Sequence, residues 1–233
     1  MRLLLHLLFM LISGQILARP HIVVVTATTG FRHDSIETAE LVLAAIVAEQ
    51  NADISFIRTE DELAVLDLQT ADAVFFVNTT GELPLSAANT LLAWIRNGGT
   101  FAGVHSASDT WHSLPDYLDM IGAEFVSHPP EANGEIVVVD ATHPATKNLD
   151  SPHVLFEEFY EFGRINPPSL RVLLSLESKP LAWEKSFGLG RVVYTALGHR
   201  IDVWQSAYFR AHLSGIVQWA LTPAYVKRRS VRH

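Results

Sequence analysis

The first half of the sequence alternates between short apolar stretches and longer amphipathic ones, and this alternation limits the folds that the chain can adopt. The predicted strands are residues 21–27, 53–58, 73–77 and 100–104. The predicted helices between them are residues 36–50, 59–66 and 87–97. Successive strands separated by helices favour parallel pairing with right-handed crossovers. The sequence therefore predicts an α/β protein built on a parallel sheet.

The strand at residues 100–104 leads into a turn that should present a histidine. Gly98 and Gly99 end the preceding helix, since glycine tolerates the left-handed backbone found there. Gly103 leaves room for the chain to turn sharply, so His105 is expected at the carboxyl end of the strand. In an open parallel sheet, ligands bind at that edge. The pattern imitates a nucleophile elbow that carries an imidazole instead of a hydroxyl or a thiol.

The pattern changes in the second half of the chain. Short apolar stretches at residues 135–139, 154–162, 171–176, 181–184 and 191–196 predict further strands, partly antiparallel. Helices are predicted at residues 114–121 and 206–221. The whole pattern predicts an α/β protein with a mostly parallel central sheet and extra antiparallel strands in the C-terminal half.

The two ends of the chain differ from the part between them. Arg2 and the apolar run at residues 3–12 resemble a secretory signal, and the run is shorter than the roughly 20 residues that span a bilayer. We therefore predict a signal peptide at residues 1–18, one α/β domain at 19–223 and a basic tail at 224–233. A periplasmic or secreted protein without stable membrane insertion is expected; an uncleaved anchor is the alternative.

The composition excludes several classes of function. The chain has no cysteine, which excludes disulfides, thiolate metal sites and a cysteine nucleophile. Its net charge of −8 argues against nucleic acid as a partner. Gly188 and Gly190 precede a predicted strand and not a helix, so they do not form a phosphate-binding or dinucleotide-binding loop. No nucleotide cofactor is therefore expected. The sequence leaves the oligomeric state open.

Three of the eleven histidines occupy similar positions. His33, His105 and His199 each follow an apolar strand and lie in a turn. Turns after parallel strands gather at one edge of a sheet, so the three side chains could converge. Histidine is the commonest metal ligand and the usual acid–base group near neutral pH. The alternative is three unrelated histidines in separate loops.

Glu158 is the carboxylate that we expect inside the protein. Alternation along residues 154–162 places it on an aromatic face, whereas Glu157 is expected on the solvent face. An unpaired buried charge is costly, so Glu158 must be paired, protonated or bound to metal. A structural ion pair with Arg164 or Arg200 is the alternative.

Other side chains near the turns have two interpretations each. Asp109 is close enough in sequence to His105 to orient its imidazole, or it caps the following turn. Trp111 and Trp183 are candidate walls for a sugar ring, or they pack in the core. Ser106 would be the nucleophile of a peptide or ester hydrolase, but it lies outside the apex of the elbow.

Seven segments together carry a family resemblance. They are residues 31–35, 98–107, 127–130, 142–146, 157–160, 180–183 and 190–199. In this order they resemble the trehalose-utilisation (ThuA-like) family, whose fold is that of class I glutamine amidotransferases. The resemblance implies a flavodoxin-like three-layer sandwich. The resemblance extends from about residue 21 to 221. Lys179 departs from it, because family members often have histidine there. The elbow has lost the amidotransferase cysteine, and His105 replaces it, so glutamine hydrolysis through a thioester is excluded.

The resemblance implies a role in carbohydrate catabolism, on a trehalose-like sugar or a 3-keto-glycoside. We expect isomerisation or glycosidic cleavage, with or without a divalent metal such as zinc. The catalytic candidates are His105, His199, Glu158 and Asp109. The candidate metal ligands are His105, His199 and Glu158. The substrate-binding candidates are His33, Arg32, Tyr160, Trp111, Trp183 and His128. The alternative is a non-catalytic carbohydrate-binding protein that uses the same cleft.

Overall fold

The computed structural model describes residues 18–222 of the 233-residue chain. The predicted signal peptide, except its last residue, and the predicted basic tail lie outside the described residues. The strands are β1 His21–Val25, β2 Asp53–Ile57, β3 Ala73–Val77, β4 Thr100–Val104, β5 Glu124–Ser127, β6 Ala132–Val138, β7 His153–Glu157, β8 Glu161–Gly163, β9 Arg171–Leu176, β10 Lys179–Phe187 and β11 Gly190–Thr195. The α-helices are α1 Ile36–Glu49, α2 Glu60–Ala64, α3 Leu85–Arg96, α4 Pro115–Ile121, α5 Ile201–Gln205 and α6 Ala207–Leu221.

Nine strands form one central sheet in the order β2-β1-β3-β4-β11-β10-β9-β6-β7. The strands from β2 to β11 pair in parallel, and those from β11 to β7 pair antiparallel. Strands β5 and β8 form a separate antiparallel pair. Helices α1, α5 and α6 contact one another, and α3 contacts both α2 and α4. The predicted α/β fold with a parallel centre and added antiparallel strands is confirmed.

The middle of the sheet is the core of the protein. Every residue of β3 and β4 is buried, which explains their continuous apolar sequences. In β4, Val104 pairs with Val77 of β3 and with Thr195 of β11. The segments that follow β1, β3, β4 and β11 therefore begin at the same edge of the sheet. This edge carries the candidate site.

The predicted strand at residues 154–162 is interrupted. β7 ends at Glu157, and β8 begins at Glu161 in the other sheet. In β7, Val154 and Phe156 are exposed, whereas Glu157 is completely buried. The prediction that Glu157 faces solvent is therefore wrong. Because the strand ends there, the alternation of inward and outward side chains is broken, and Glu158 is buried as well.

Within residues 18–222, none of the helices combines the length and the apolar character needed to cross a membrane.

Candidate functional site

His105 lies at the apex of a sharp turn. Its φ of 51° is in the left-handed region, which residues other than glycine seldom adopt, and a short 3₁₀ helix follows. The Tyr194 hydroxyl donates to the His105 carbonyl at 2.7 Å and so fixes this backbone. His105 Nδ1 donates to the Ala196 carbonyl at 2.8 Å. The proton is therefore on Nδ1, and the lone pair of Nε2 faces the site.

Four side chains converge at this edge of the sheet. His33, His105, His199 and Glu158 each offer one donor atom, and all four atoms lie within 4.8 Å of one another. His33 follows β1, His105 follows β4, and His199 follows β11, so the parallel strands deliver all three histidines. Glu158 comes from the break after β7. The predicted convergence of the three histidines is therefore observed.

The carboxylate of Glu158 meets imidazoles on both of its oxygens. Oε1 lies 3.5 Å from His105 Nε2 and 3.6 Å from His199 Nδ1. Oε2 lies 3.2 Å from His128 Nε2. In the described part of the chain its ion-pair partners are histidines, and the alternative pairing with Arg164 or Arg200 is not observed. His128, predicted to bind substrate, thus lies beside the cluster.

Tyr160 contacts the cluster through His105. Its hydroxyl donates to His105 Nε2 at 2.8 Å, and the two ring centres are 4.4 Å apart. Burial raises the pKa of Tyr160 well above its ordinary value, so the hydroxyl keeps its proton. A protonated phenol beside the donor atoms can donate a hydrogen bond to a ligand oxygen.

The buried histidines are neutral. Burial, and then the neighbouring His199, lower the pKa of His33 to about 4. Burial and the nearby His33 hold the pKa of His105 well below its ordinary value. Burial raises the pKa of Glu158. The site therefore presents two neutral imidazoles, those of His33 and His105, and a carboxylate that binds protons more readily than an exposed one.

A second layer of hydrogen bonds positions the cluster. The Glu157 carboxylate accepts from the amide of Glu158 at 2.9 Å and from the amide of Gly198 at 3.2 Å. It therefore ties the segment carrying Glu158 to the segment carrying His199. Asn78 donates to the Gly198 carbonyl at 3.0 Å. Sequence reasoning missed both roles, although the polar turn after β3 was a visible signal for Asn78.

The donor set fits a divalent metal such as zinc. Zinc prefers imidazole and carboxylate ligands in a tetrahedron, with bonds of about 2.0–2.2 Å and ligand atoms about 3.3 Å apart. The four donor atoms lie within 4.8 Å of one another, so some of them must approach by up to about 1.5 Å to reach this spacing. His199 Nδ1 is buried without a hydrogen-bond partner, so it is available to a ligand. The cluster could therefore hold a metal ion.

Two predicted site residues, Asp109 and Arg32, lie outside the cluster. Asp109 accepts from His112 Nε2 at 2.6 Å and does not orient His105, whose Nδ1 is held by a backbone carbonyl. Arg32 is exposed and pairs with Glu37 at 2.8 Å. Ser106 lies inside the site, with its hydroxyl 3.5 Å from His33 Nδ1.

The predicted tryptophan walls do not exist. Trp111 and Trp183 are completely buried, and their N–H groups donate to the carbonyls of Leu83 and Ile121. Their indoles satisfy their hydrogen bonds within the core, so the prediction that they line a cleft is wrong. Phe31 is an exposed aromatic residue whose ring contacts that of His33. Sequence reasoning missed it as a site residue, although it lies two residues before His33 in the chain.

The fold and the site together define a class of protein. It is an α/β sandwich with a nucleophile-elbow turn whose apex carries a histidine within a His/Glu cluster. The family model described as ThuA, trehalose utilisation, matches residues 21–220, and the chain belongs to this family. The resemblance found in the sequence is confirmed.

Solved structures share the fold. A ThuA-like protein from Parabacteroides merdae has a TM-score of 0.74 and 18% identity, with 90% of this chain and 92% of that chain covered. One from Bacteroides uniformis has a TM-score of 0.73 and 18% identity, with coverages of 87% and 91%. A cytoplasmic protein from Salmonella typhimurium has a TM-score of 0.62 and 8% identity, with coverages of 86% and 98%. No curated protein matches the sequence.

Proposed function

We propose that the protein is an enzyme of carbohydrate catabolism that acts on a trehalose-like sugar oxidised to a 3-keto-glycoside, with a divalent metal bound at the elbow. The observation that carries the proposal is the convergence of four donor atoms within 4.8 Å at the ligand-binding edge of the sheet. The family description, trehalose utilisation, supports a sugar as the substrate.

The three histidines are the proposed ligands. The ring centres of His33, His105 and His199 lie 4.8 to 5.3 Å apart. A bound divalent ion would polarise the ketone of the substrate as a Lewis acid. Binding through His105 Nε2 would release the Tyr160 hydroxyl, which could then donate to the same substrate oxygen.

Glu158 is the proposed base. A ketone at C3 of the sugar acidifies the hydrogen on C2, and a carboxylate that is buried and partly desolvated can remove that proton. The proton moves to Glu158, and the electron pair of the C–H bond delocalises onto the ketone oxygen. Glu158 faces the cluster through one oxygen and His128 through the other. It can therefore receive the proton and share it with a histidine.

Two outcomes follow from the same first step. In isomerisation, the proton of the C2 hydroxyl passes to the oxygen on C3, the proton held by Glu158 is delivered to C3, and the ketone is now at C2. In cleavage, the electron pair expels the glycosidic oxygen from C1, and the leaving alcohol takes a proton. His128, whose Nε2 is 3.2 Å from Glu158, is placed to supply that proton.

Turnover of 3-keto-trehalose by purified variants tests the proposal. Removing a general base should reduce kcat by about 10²- to 10⁴-fold, so we expect Glu158→Gln to lose turnover while it remains folded. The matched control is Glu161→Gln, because Glu161 is a nearby exposed carboxylate bonded to Ser127. Unchanged turnover in Glu158→Gln contradicts the proposal.

A sugar-binding protein without turnover remains the other candidate. It needs an aromatic surface and hydrogen bonds but neither a base nor an ion. The burial of Trp111 and Trp183 removes the stacking surface first expected for it. Saturable sugar binding that survives both chelation and Glu158→Gln, without any turnover, would favour it.

A further inference from the structure

A cavity of about 380 Å³ opens beside the His/Glu cluster. It shares His199 with the cluster, and Glu131, which also lines it, lies 3.4 Å from His199 Nε2. A ligand in this cavity therefore touches the site directly. Its size suits a single ring-sized group and not a whole oligosaccharide.

Phe31 forms an apolar wall of this cavity. Its side chain is 65% exposed, although most other phenylalanines of the described chain are buried. Its backbone is held in place, because the Thr80 hydroxyl donates to the Phe31 carbonyl at 2.9 Å. Its ring meets His33 edge-on, with centres 4.9 Å apart. A fixed and exposed aromatic face is a suitable surface for the C–H face of a sugar ring.

Carboxylates anchored by one arginine provide the polar part of the cavity. Arg200 donates to Glu131 at 2.7 Å and to Asp202 at 2.9 Å. Each carboxylate oxygen can accept more than one hydrogen bond, so both groups keep acceptor capacity for ligand hydroxyls. They are also held in fixed positions, which lowers the entropy lost on binding.

The charges of the cavity select against anions. Asp34, Glu131 and Asp202 provide three carboxylates, and Arg200 is their single cationic counterpart among the lining residues. The resulting net negative charge attracts hydrogen-bond donors and repels phosphate or carboxylate groups.

We propose that this cavity is the subsite for the second ring of a disaccharide, and that it accepts an uncharged ring and rejects a phosphorylated or carboxylated one. The proposal deepens the proposed function and rests on it for the identity of the reacting ring. It assigns to Phe31 the stacking role and to Glu131 and Asp202 the hydroxyl contacts.

Calorimetric titration of the purified protein with trehalose, glucose and trehalose 6-phosphate tests the subsite independently of turnover. We expect trehalose to bind about five- to tenfold more tightly than glucose, the gain expected from covering some tens of square ångströms of ring face. Phe31→Ala should reduce the ratio of the trehalose and glucose affinities to about one. The control is Leu189→Ala, which truncates another exposed apolar side chain, beside the start of β11 at the opposite edge of the sheet.

The charge is tested with the phosphorylated sugar. In low salt, trehalose 6-phosphate should bind roughly tenfold more weakly than trehalose. Asp34→Asn removes one negative charge and should therefore reduce this difference in affinity. Four results would each overturn the proposal. Trehalose and glucose could bind equally well, or neither could bind. The ratio of their affinities could stay unchanged in Phe31→Ala, or trehalose 6-phosphate could bind more tightly than trehalose. Absence of turnover with the binding pattern intact instead overturns the proposed function and leaves the subsite standing.

Discussion

Within residues 18–222, two groups of histidines contain buried imidazoles but differ in what surrounds them. The first is the cluster at the elbow. The second consists of His143 and His212, which are 1% and 0% exposed. His212 Nδ1 donates to the Ala145 carbonyl at 2.9 Å, and the Ala145 amide donates to His143 Nδ1 at 3.1 Å. These two imidazoles therefore hold one turn of the chain against helix α6.

The carboxylate beside each group shows the difference. Glu184 lies 3.5 Å from His143, but Arg171 and Trp219 also donate to it, so its charge is compensated. Glu158 meets only histidines among the ion pairs of the described residues. Burial lowers the pKa of His212 to about 4, the same value as for His33. A lowered pKa thus does not distinguish the two groups of histidines, whereas convergence on an uncompensated carboxylate does.

The largest expected effect separates the two groups by activity. Replacing His105 or His199 with alanine should reduce kcat/KM for 3-keto-trehalose by about 10³-fold, because each variant loses a ligand or an acid–base group. His212→Ala should change it by no more than a few fold once corrected for the folded fraction. Steady-state kinetics on all three variants makes the comparison. Equal losses of kcat/KM in the His105, His199 and His212 variants would show that the two groups of histidines do not differ in their importance for activity.

The second expected effect is a pH dependence of stability from His212. Its pKa falls from an ordinary value of 6.5 to about 4 in the folded chain. Between these values the unfolded chain takes up a proton that the folded chain does not, so the free energy of unfolding falls as the pH falls. At about 1.4 kcal/mol per pKa unit the contribution is on the order of 3 kcal/mol.

Urea unfolding of wild type and His212→Gln at pH 7 and pH 4 measures this contribution. Glutamine does not titrate, so the stability advantage of the wild type should shrink by about 3 kcal/mol on acidification. The remaining groups titrate alike in both proteins and cancel in the difference. An advantage that stays constant with pH would show that His212 titrates equally in the folded and unfolded chains.

A smaller effect is expected at the edge of the cluster. Tyr160→Phe removes the hydroxyl that donates to His105 Nε2 and leaves the buried ring. We expect kcat to fall about tenfold, the size of one lost hydrogen bond to developing charge. Rates at saturating substrate make the measurement. An unchanged kcat would show that the Tyr160 hydroxyl does not take part in the reaction.

Local signals in the sequence account for the part of the fold that was predicted. The buried strands β3 and β4 are continuous apolar runs, and Gly98 ends the helix between them with a φ of 102°. The gathering of His33, His105 and His199 followed from topology alone, since parallel strands end at one edge.

The parts that could not be predicted depend on contacts between distant residues. The break after β7 is held by the bond from the Gly198 amide to Glu157, 41 residues away in sequence. Alternation in the sequence cannot reveal such a break, and it therefore placed Glu157 in solvent. The sequence around Trp111 predicts a loop residue near the site. In the structure its N–H donates to the Leu83 carbonyl, and its ring is completely buried in the core.

Metal content tests the central claim most directly. Purified wild-type protein, the His105→Ala/His199→Ala double variant and His212→Gln would be incubated with zinc, dialysed and analysed by elemental analysis, with circular dichroism to confirm folding. We predict about one equivalent of divalent metal per chain in the wild type and in His212→Gln, and a near-complete loss in the folded double variant. A wild-type protein that takes up no metal, or a double variant that keeps it, would contradict the account.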